Sequence, residues 1–180
     1  MLRAWGVLKT MIMADFKKFA PKLLLAEGGY VCHPADPGGH TCKGVTLRTY
    51  QQHFGAHKTV NDLKNIPYGE WQEIMKSGYW DKCKADEIEN QSVAEILVDW
   101  CVNSGLVGLR RVQELVGAKP DGIVGPITLS LINTSDPKTL FDRIMAARRQ
   151  YYINIVKKDP AKKVFMNGWN NRLEHFEYEG

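Results

Sequence analysis

One glutamate stands where acid chemistry could be run. Glu27 closes the apolar run Leu23-Leu24-Leu25-Ala26 and is followed at once by Gly28-Gly29-Tyr30. Paired glycines predict a helix stop in left-handed backbone, which sets Glu27 in the last helical turn. Apolar neighbours disfavour an ionised carboxyl, and the negative end of the helix dipole acts the same way. A carboxylic acid that keeps its proton near neutral pH is what a glycosidase needs to protonate a leaving oxygen. Gly28-Gly29 would also admit a backbone or a sugar at close range. The plainer reading is a solvated helix end. Asp36, nine residues on, is the next carboxylate, in a loop rich in Pro, Gly and His. It could hold or activate an attacking water, which would give inversion at the anomeric carbon. It could equally cap a turn inside that loop.

Other chemistry-bearing types are sparser. Cys32, Cys42, Cys83 and Cys101 are too few and too scattered for a disulfide framework. Cys32 and Cys42 flank the loop and, with His33 and His40, read Cys-His-x6-His-x-Cys. That spacing fits no standard zinc signature, so reduced thiols, or a Cys32–Cys42 disulfide after export, are the expectation. Tyr30, Tyr79 and Trp80 are candidates for stacking on sugar faces, against the common fate of aromatics, which is the core. Trp100 belongs to the core and Trp169 packs the last helix on the body. Asn103 either binds an N-acetyl group or caps a helix end. No metal and no organic cofactor is called for.

These residues need a scaffold. The chain has 180 residues, 44% hydrophobic and 24% charged, an ordinary globular composition long enough for a sizeable core. Its formal charge of +4 suits approach to an anionic polymer. No Lys/Arg run is interleaved with aromatics, which makes nucleic acid a poor third reading. Residues 1–12 are too short and too broken for a signal peptide or membrane span, and are read as an N-terminal extension.

Hydrophobic spacing predicts helices throughout. Asp15 opens one to about Glu27, with Phe16, Phe19, Leu23 and Leu24 on its buried stripe and a kink at Pro21. Residues 30–45 read as a loop or small hairpin. Helices follow at 46–54, 61–65 and from Pro67 to about Ser77, and Gly78-Tyr79-Trp80 reads as a break. Residues 91–103 form the most apolar stretch and the central helix. Leu109–Val116, a short helix from Pro126, a long one from Asp136-Pro137 to about Lys158 and a last one to about Tyr178 complete the chain. The class is mostly α, with two lobes sharing the helix at 91–103.

Taken in order, these segments resemble a known family. Ala26-Glu27-Gly28-Gly29-Tyr30, Asp36-Pro37-Gly38-Gly39-His40-Thr41, Gly44-Val45-Thr46 and Tyr79-Trp80-Asp81 are similar to glycoside hydrolase family 108, the lysozyme-like N-acetylmuramidases of phage endolysins and secretion-associated wall hydrolases. Asp99 to Gly105, Gln113, Leu115-Val116-Gly117, Asp121 to Leu129, and Gly168-Trp169 with Arg172 resemble the predicted peptidoglycan-binding domain that commonly follows. The resemblance spans about residues 15–175. It implies a lysozyme-like fold, a catalytic lobe at 13–90, a peptidoglycan-binding lobe at 91–180, and Glu27 as the essential acid. Phage-type lysozymes with a Glu, Asp, Thr triad share the Glu27-to-Asp36 spacing. Their threonine falls where this chain has Cys42, with Thr41 one position short and Thr46 four beyond.

The expectation is therefore a monomeric muramidase cleaving the β-1,4 bond between N-acetylmuramic acid and N-acetylglucosamine. Glu27 would be the acid, Asp36 or Thr46 would position water, and Tyr30, Thr41, Tyr79, Trp80 and Asn103 would contact sugar. Two alternatives stand: a lytic transglycosylase, and a wall-binding module with weak or lost activity. The partner is peptidoglycan, without membrane insertion. Synthesis is expected in the bacterial cytoplasm, action in the periplasm or wall, and export by a holin or secretion machinery.

Overall fold

The computed structural model describes residues 13–32 and 39–180. The expected extension, residues 1–12, and both His33 and Asp36 lie outside the described residues.

Helix α1, Phe16–Ala26, starts where Asp15 accepts a hydrogen bond from the Lys17 N–H at 2.8 Å. It buries Phe16, Phe19, Ala20 and Leu23 and carries Pro21 internally. Its end corrects the expected glycine stop. Glu27 itself is the C-cap, at φ −84° and ψ 139°, so the chain leaves through extended backbone. Gly28 and Gly29 have open space around them, not a close neighbour.

The small hairpin expected near 30–45 is a three-stranded antiparallel sheet in the order β1 (Tyr30–Cys32), β2 (His40–Cys42), β3 (Val45–Thr46). Tyr30 lies opposite Cys42, Cys32 opposite His40, and Thr41 opposite both Val31 and Thr46. The β2–β3 turn puts Lys43 at φ 49° and Gly44 at φ 75°.

Helices α2 (Leu47–Phe54), α3 (Val60–Lys64) and α4 (Tyr68–Met75) follow. The expected break after α4 is a π-helical turn, Lys76–Trp80. It keeps the helix going and swings Trp80 into the core, its ring centroid 5.6 Å from Phe16 and 5.7 Å from Phe19.

Helix α5, Gln91–Ser104, is the centre of the molecule. Every residue from Ser92 to Cys101 is buried, as expected of a predominantly apolar helix surrounded by others. It packs against α6 (Leu106–Val116), α8 (Pro137–Lys158) and the π-turn. Helix α7 (Pro126–Thr134) and α9 (Met166–Glu174) complete the body, the latter entered through a 3-10 segment at Pro160–Phe165 and ending earlier than Tyr178. The class is mostly α, as the spacing predicts. Among the described residues, no helix is long and apolar enough to cross a membrane.

Candidate active site

Three parts of the chain meet at Glu27: the end of α1, the β2–β3 turn and α9. Its Oε1 accepts from Arg172 Nη2 at 2.7 Å, and Arg172 Nη1 also reaches the Ala26 carbonyl at 3.4 Å. Its Oε2 faces Gly44, where a Cβ would overlap it and would lie 3.0 Å from Met75 Cε. The turn carrying Gly44 is pinned from α4, because Trp71 Nε1 donates to the Lys43 carbonyl at 2.9 Å. Gly44 is thus glycine on two counts, a left-handed φ and a contact with no room for a methyl group. The Glu27 side chain is 10% exposed, a carboxylate covered on most sides but open on one.

These surroundings correct the apolar pocket expected for Glu27. Leu25 is exposed and Leu24 only half-buried, while a guanidinium sits on the carboxylate. The apolar triplet points elsewhere because one turn of helix spreads three consecutive side chains around its circumference.

Arg172 does not act alone. Its Nε and Nη2 donate to Asp99, with Nη2–Oδ1 at 2.6 Å. Asp99 Oδ2 in turn lies 2.7 Å from Arg148 Nη1, and both of those side chains are fully buried. Arg148 Nε donates to the Tyr152 hydroxyl at 2.7 Å, which donates to Asn103 Oδ1 at 2.8 Å. One continuous polar chain therefore runs from Glu27 through Arg172, Asp99, Arg148 and Tyr152 to Asn103. Burial pulls the Arg172 guanidinium down, but the Asp99 and Glu27 carboxylates outweigh it and hold the group above its ordinary range. Arg172 is thus a permanent cation at the Glu27 oxygen. Trp169, one turn before the end of α9, stacks on Tyr152 at 4.9 Å and anchors the helix that delivers Arg172.

Tyr79, in the π-turn, is largely buried. Its phenol is pushed up first by desolvation and then by the Glu27 charge. Trp80 is a correction. It is fully buried in the core with Nε1 donating to Asp86 Oδ1 at 2.6 Å, so its face is closed to a sugar. Adjacent side chains of the π-turn point in different directions, and Trp80 is the one that packs on Phe16 and Phe19 of α1. Thr46 spends its hydroxyl as the N-cap of α2, accepting from the Thr49 N–H at 3.1 Å and sharing a hydrogen bond with Thr49 Oγ1 at 2.9 Å. Thr41 is half-buried on β2. Asn103, half-buried, is the far end of the polar chain from Glu27, and the C-cap of α5 is Gly105. Tyr30 sits on the outer strand, hydrogen-bonded to His40 Nδ1 at 2.6 Å, with Lys64 Nζ 4.4 Å above its ring.

Residues 20–105 match the family described as glycosyl hydrolase 108, and residues 107–174 match the one described as predicted peptidoglycan domain. Residues 20–105 form a glycosyl hydrolase 108 domain. The hydrolase segment supplies Glu27, Gly44, Tyr79 and Asp99, and the peptidoglycan-domain segment supplies Arg148 and Arg172. The polar chain therefore crosses the boundary between the two. The chain is also similar to a solved structure titled "Structure of Brucella abortus SagA", with 28% identity and a TM-score of 0.73, covering 89% of this chain and 90% of that one. No curated protein matches the chain.

Arg172 and Asp99 are the site residues that sequence reasoning leaves without a role. A signal for Asp99 is present: a lone acid inside Val98-Asp99-Trp100, in the most apolar helix, must find a partner or stay uncharged. Nothing local names Arg172 as that partner, 73 positions away.

Proposed function

We propose that the chain is an N-acetylmuramidase, a lysozyme that hydrolyses the β-1,4 bond between N-acetylmuramic acid and N-acetylglucosamine, with Glu27 as general acid. The observation that carries this reading is a largely covered carboxylate in a glycosyl hydrolase 108 segment, held between an arginine and a glycine and still 10% exposed. Glu27 gives its proton to the glycosidic oxygen. The carboxylate left behind is received by Arg172, whose charge-assisted hydrogen bond is stronger to the anion than to the acid. Arg172 so steadies the carboxylate form of Glu27, the form that takes up a proton before each cycle and that each proton transfer restores.

Asp99 and Arg148 are positioning residues in this scheme. They fix the guanidinium so that little reorganisation accompanies proton transfer. Tyr79 lines the site beside the carboxylate, and Tyr30 offers an exposed aromatic edge for the glycan on the hairpin side. Asp36 is kept as the group that positions water. Peptidoglycan is the substrate, and the predicted peptidoglycan domain supports that choice.

The test compares wild type with Glu27→Gln on purified peptidoglycan, with released muropeptides analysed by mass spectrometry. Products with reducing N-acetylmuramic acid ends from wild type, and none from the variant, are expected. Anhydromuramyl ends would replace hydrolysis by transglycosylation. Binding without products from either protein would overturn the enzyme reading.

A further inference from the structure

Cys83 and Cys101 lie side by side, where their distance in the chain gives no hint of it. The Cys83 thiol donates to Cys101 Sγ at 3.6 Å, and both side chains are buried and free. Cys83 follows the π-turn and is tied to it by a hydrogen bond from its N–H to the Tyr79 carbonyl at 3.0 Å. Cys101 lies on α5, two residues beyond Asp99. A disulfide needs sulfurs about 2.05 Å apart, so this pair is about 1.5 Å short of a bond. The pair that the sequence suggests is less well placed. Cys32 faces His40 and Cys42 faces Tyr30 across the strands, with Cys32 exposed and Cys42 buried.

We propose that Cys83 and Cys101 are a disulfide site, closed when the chain folds in an oxidising compartment, which staples the π-turn to the central helix. The reaction balances with a small disulfide such as oxidised glutathione. One protein thiolate attacks it, the second thiolate displaces the mixed disulfide, the Cys83–Cys101 bond forms, and two small thiols leave with the two electrons and two protons. Peptidoglycan lies outside the cytoplasm, where cystines persist, and this physiological setting rests on the muramidase reading. The sulfur chemistry does not.

The staple joins two elements that border the site. One carries Tyr79, whose phenol feels the Glu27 charge, and the other carries Asp99, which holds Arg172. Contact with Cys83 and burial hold the Cys101 thiol well above its ordinary range. Since the thiolate is the attacking species, the folded reduced protein oxidises slowly and the bond closes during folding.

The measurement is a thiol count. The full chain is refolded in a glutathione redox buffer, denatured without reductant, alkylated and weighed intact, then digested. Two labels, on Cys32 and Cys42, and a peptide linking Cys83 to Cys101 are expected. The melting temperature should exceed that of the reduced protein by roughly 5–10 °C, as for a loop of about this length in a chain of this size. The rise should vanish in Cys83→Ala and Cys101→Ala. Native reduced protein given the same buffer should keep four labels far longer than refolding protein. Four labels on folded protein after refolding, or a Cys32–Cys42 link, would overturn the proposal. Because the readout is mass, it stands apart from the outcome with Glu27→Gln.

Discussion

Gly44 and Glu27 touch, backbone against carboxylate, so that the β2–β3 turn is the wall on which the Glu27 oxygen rests. A methyl group on Gly44 would displace Glu27 and would force a side chain into φ 75°. Gly44→Ala should cost about 1–3 kcal/mol from the backbone and the overlap together. Activity should fall by roughly 10- to 100-fold, the scale of an ångström-sized misplacement of a catalytic group. Chemical denaturation and initial rates on peptidoglycan check the two halves. Wild-type turnover in this variant would mean that the turn does not hold Glu27.

Asp99 is fully buried and balances two arginines. Asp99→Asn leaves Arg148 and Arg172 without their shared carboxylate, and breaking a buried pair in this way costs about 3–5 kcal/mol. A thermal melt should record a fall of roughly 10 °C for a chain of this size. Glu27→Gln, at the open end of the same chain of groups, should stay within about 1 kcal/mol of wild type, since the amide oxygen still accepts from Arg172. Equal losses from both substitutions would argue against the order of burial described above.

Tyr30 and Trp80 should separate cleanly. Trp80→Ala removes a fully buried ring and should cost about 3–5 kcal/mol. Tyr30→Ala removes an exposed ring and should change stability by less than about 0.5 kcal/mol, while raising KM on peptidoglycan. An unchanged KM would remove Tyr30 from the substrate surface.

Glu70 gives a pH-dependent test. It accepts hydrogen bonds from Tyr50 and, at 2.9 Å, from Lys58, and these hold its carboxyl below the ordinary 4.5, Tyr50 first. A depressed carboxyl adds stability that is present above 4.5 and is lost as pH falls through the lower folded value. At the alkaline end, desolvation first, and then Glu70, raise the Tyr50 phenol above 10.0, so its share is present below that value and fades as pH rises past it. The stability gap between wild type and Glu70→Gln, from urea midpoints, should be steady at pH 6–9 and narrow progressively as pH falls below 4.5. A gap that stays constant all the way down the acid limb would rule out the charge as its source.

Local pattern alone determined much of this protein. The helix starts at Asp15 and Asp136, the apolar run on α5 and the position of Glu27 at a helix end follow from interactions within a few residues, which short-range spacing records. Tertiary structure decided what surrounds Glu27. The arginine on its carboxylate lies 145 positions away, and the Asp99 behind that arginine is 73 positions from it. The same holds for Trp80, which packing on α1 draws into the core, and for Cys83 and Cys101, which α5 and the π-turn bring together. Glu27 shows the boundary most clearly. Its own neighbours in the chain are leucines, but a helix turns each side chain to a different side, and the partner of the carboxylate is set by what packs there.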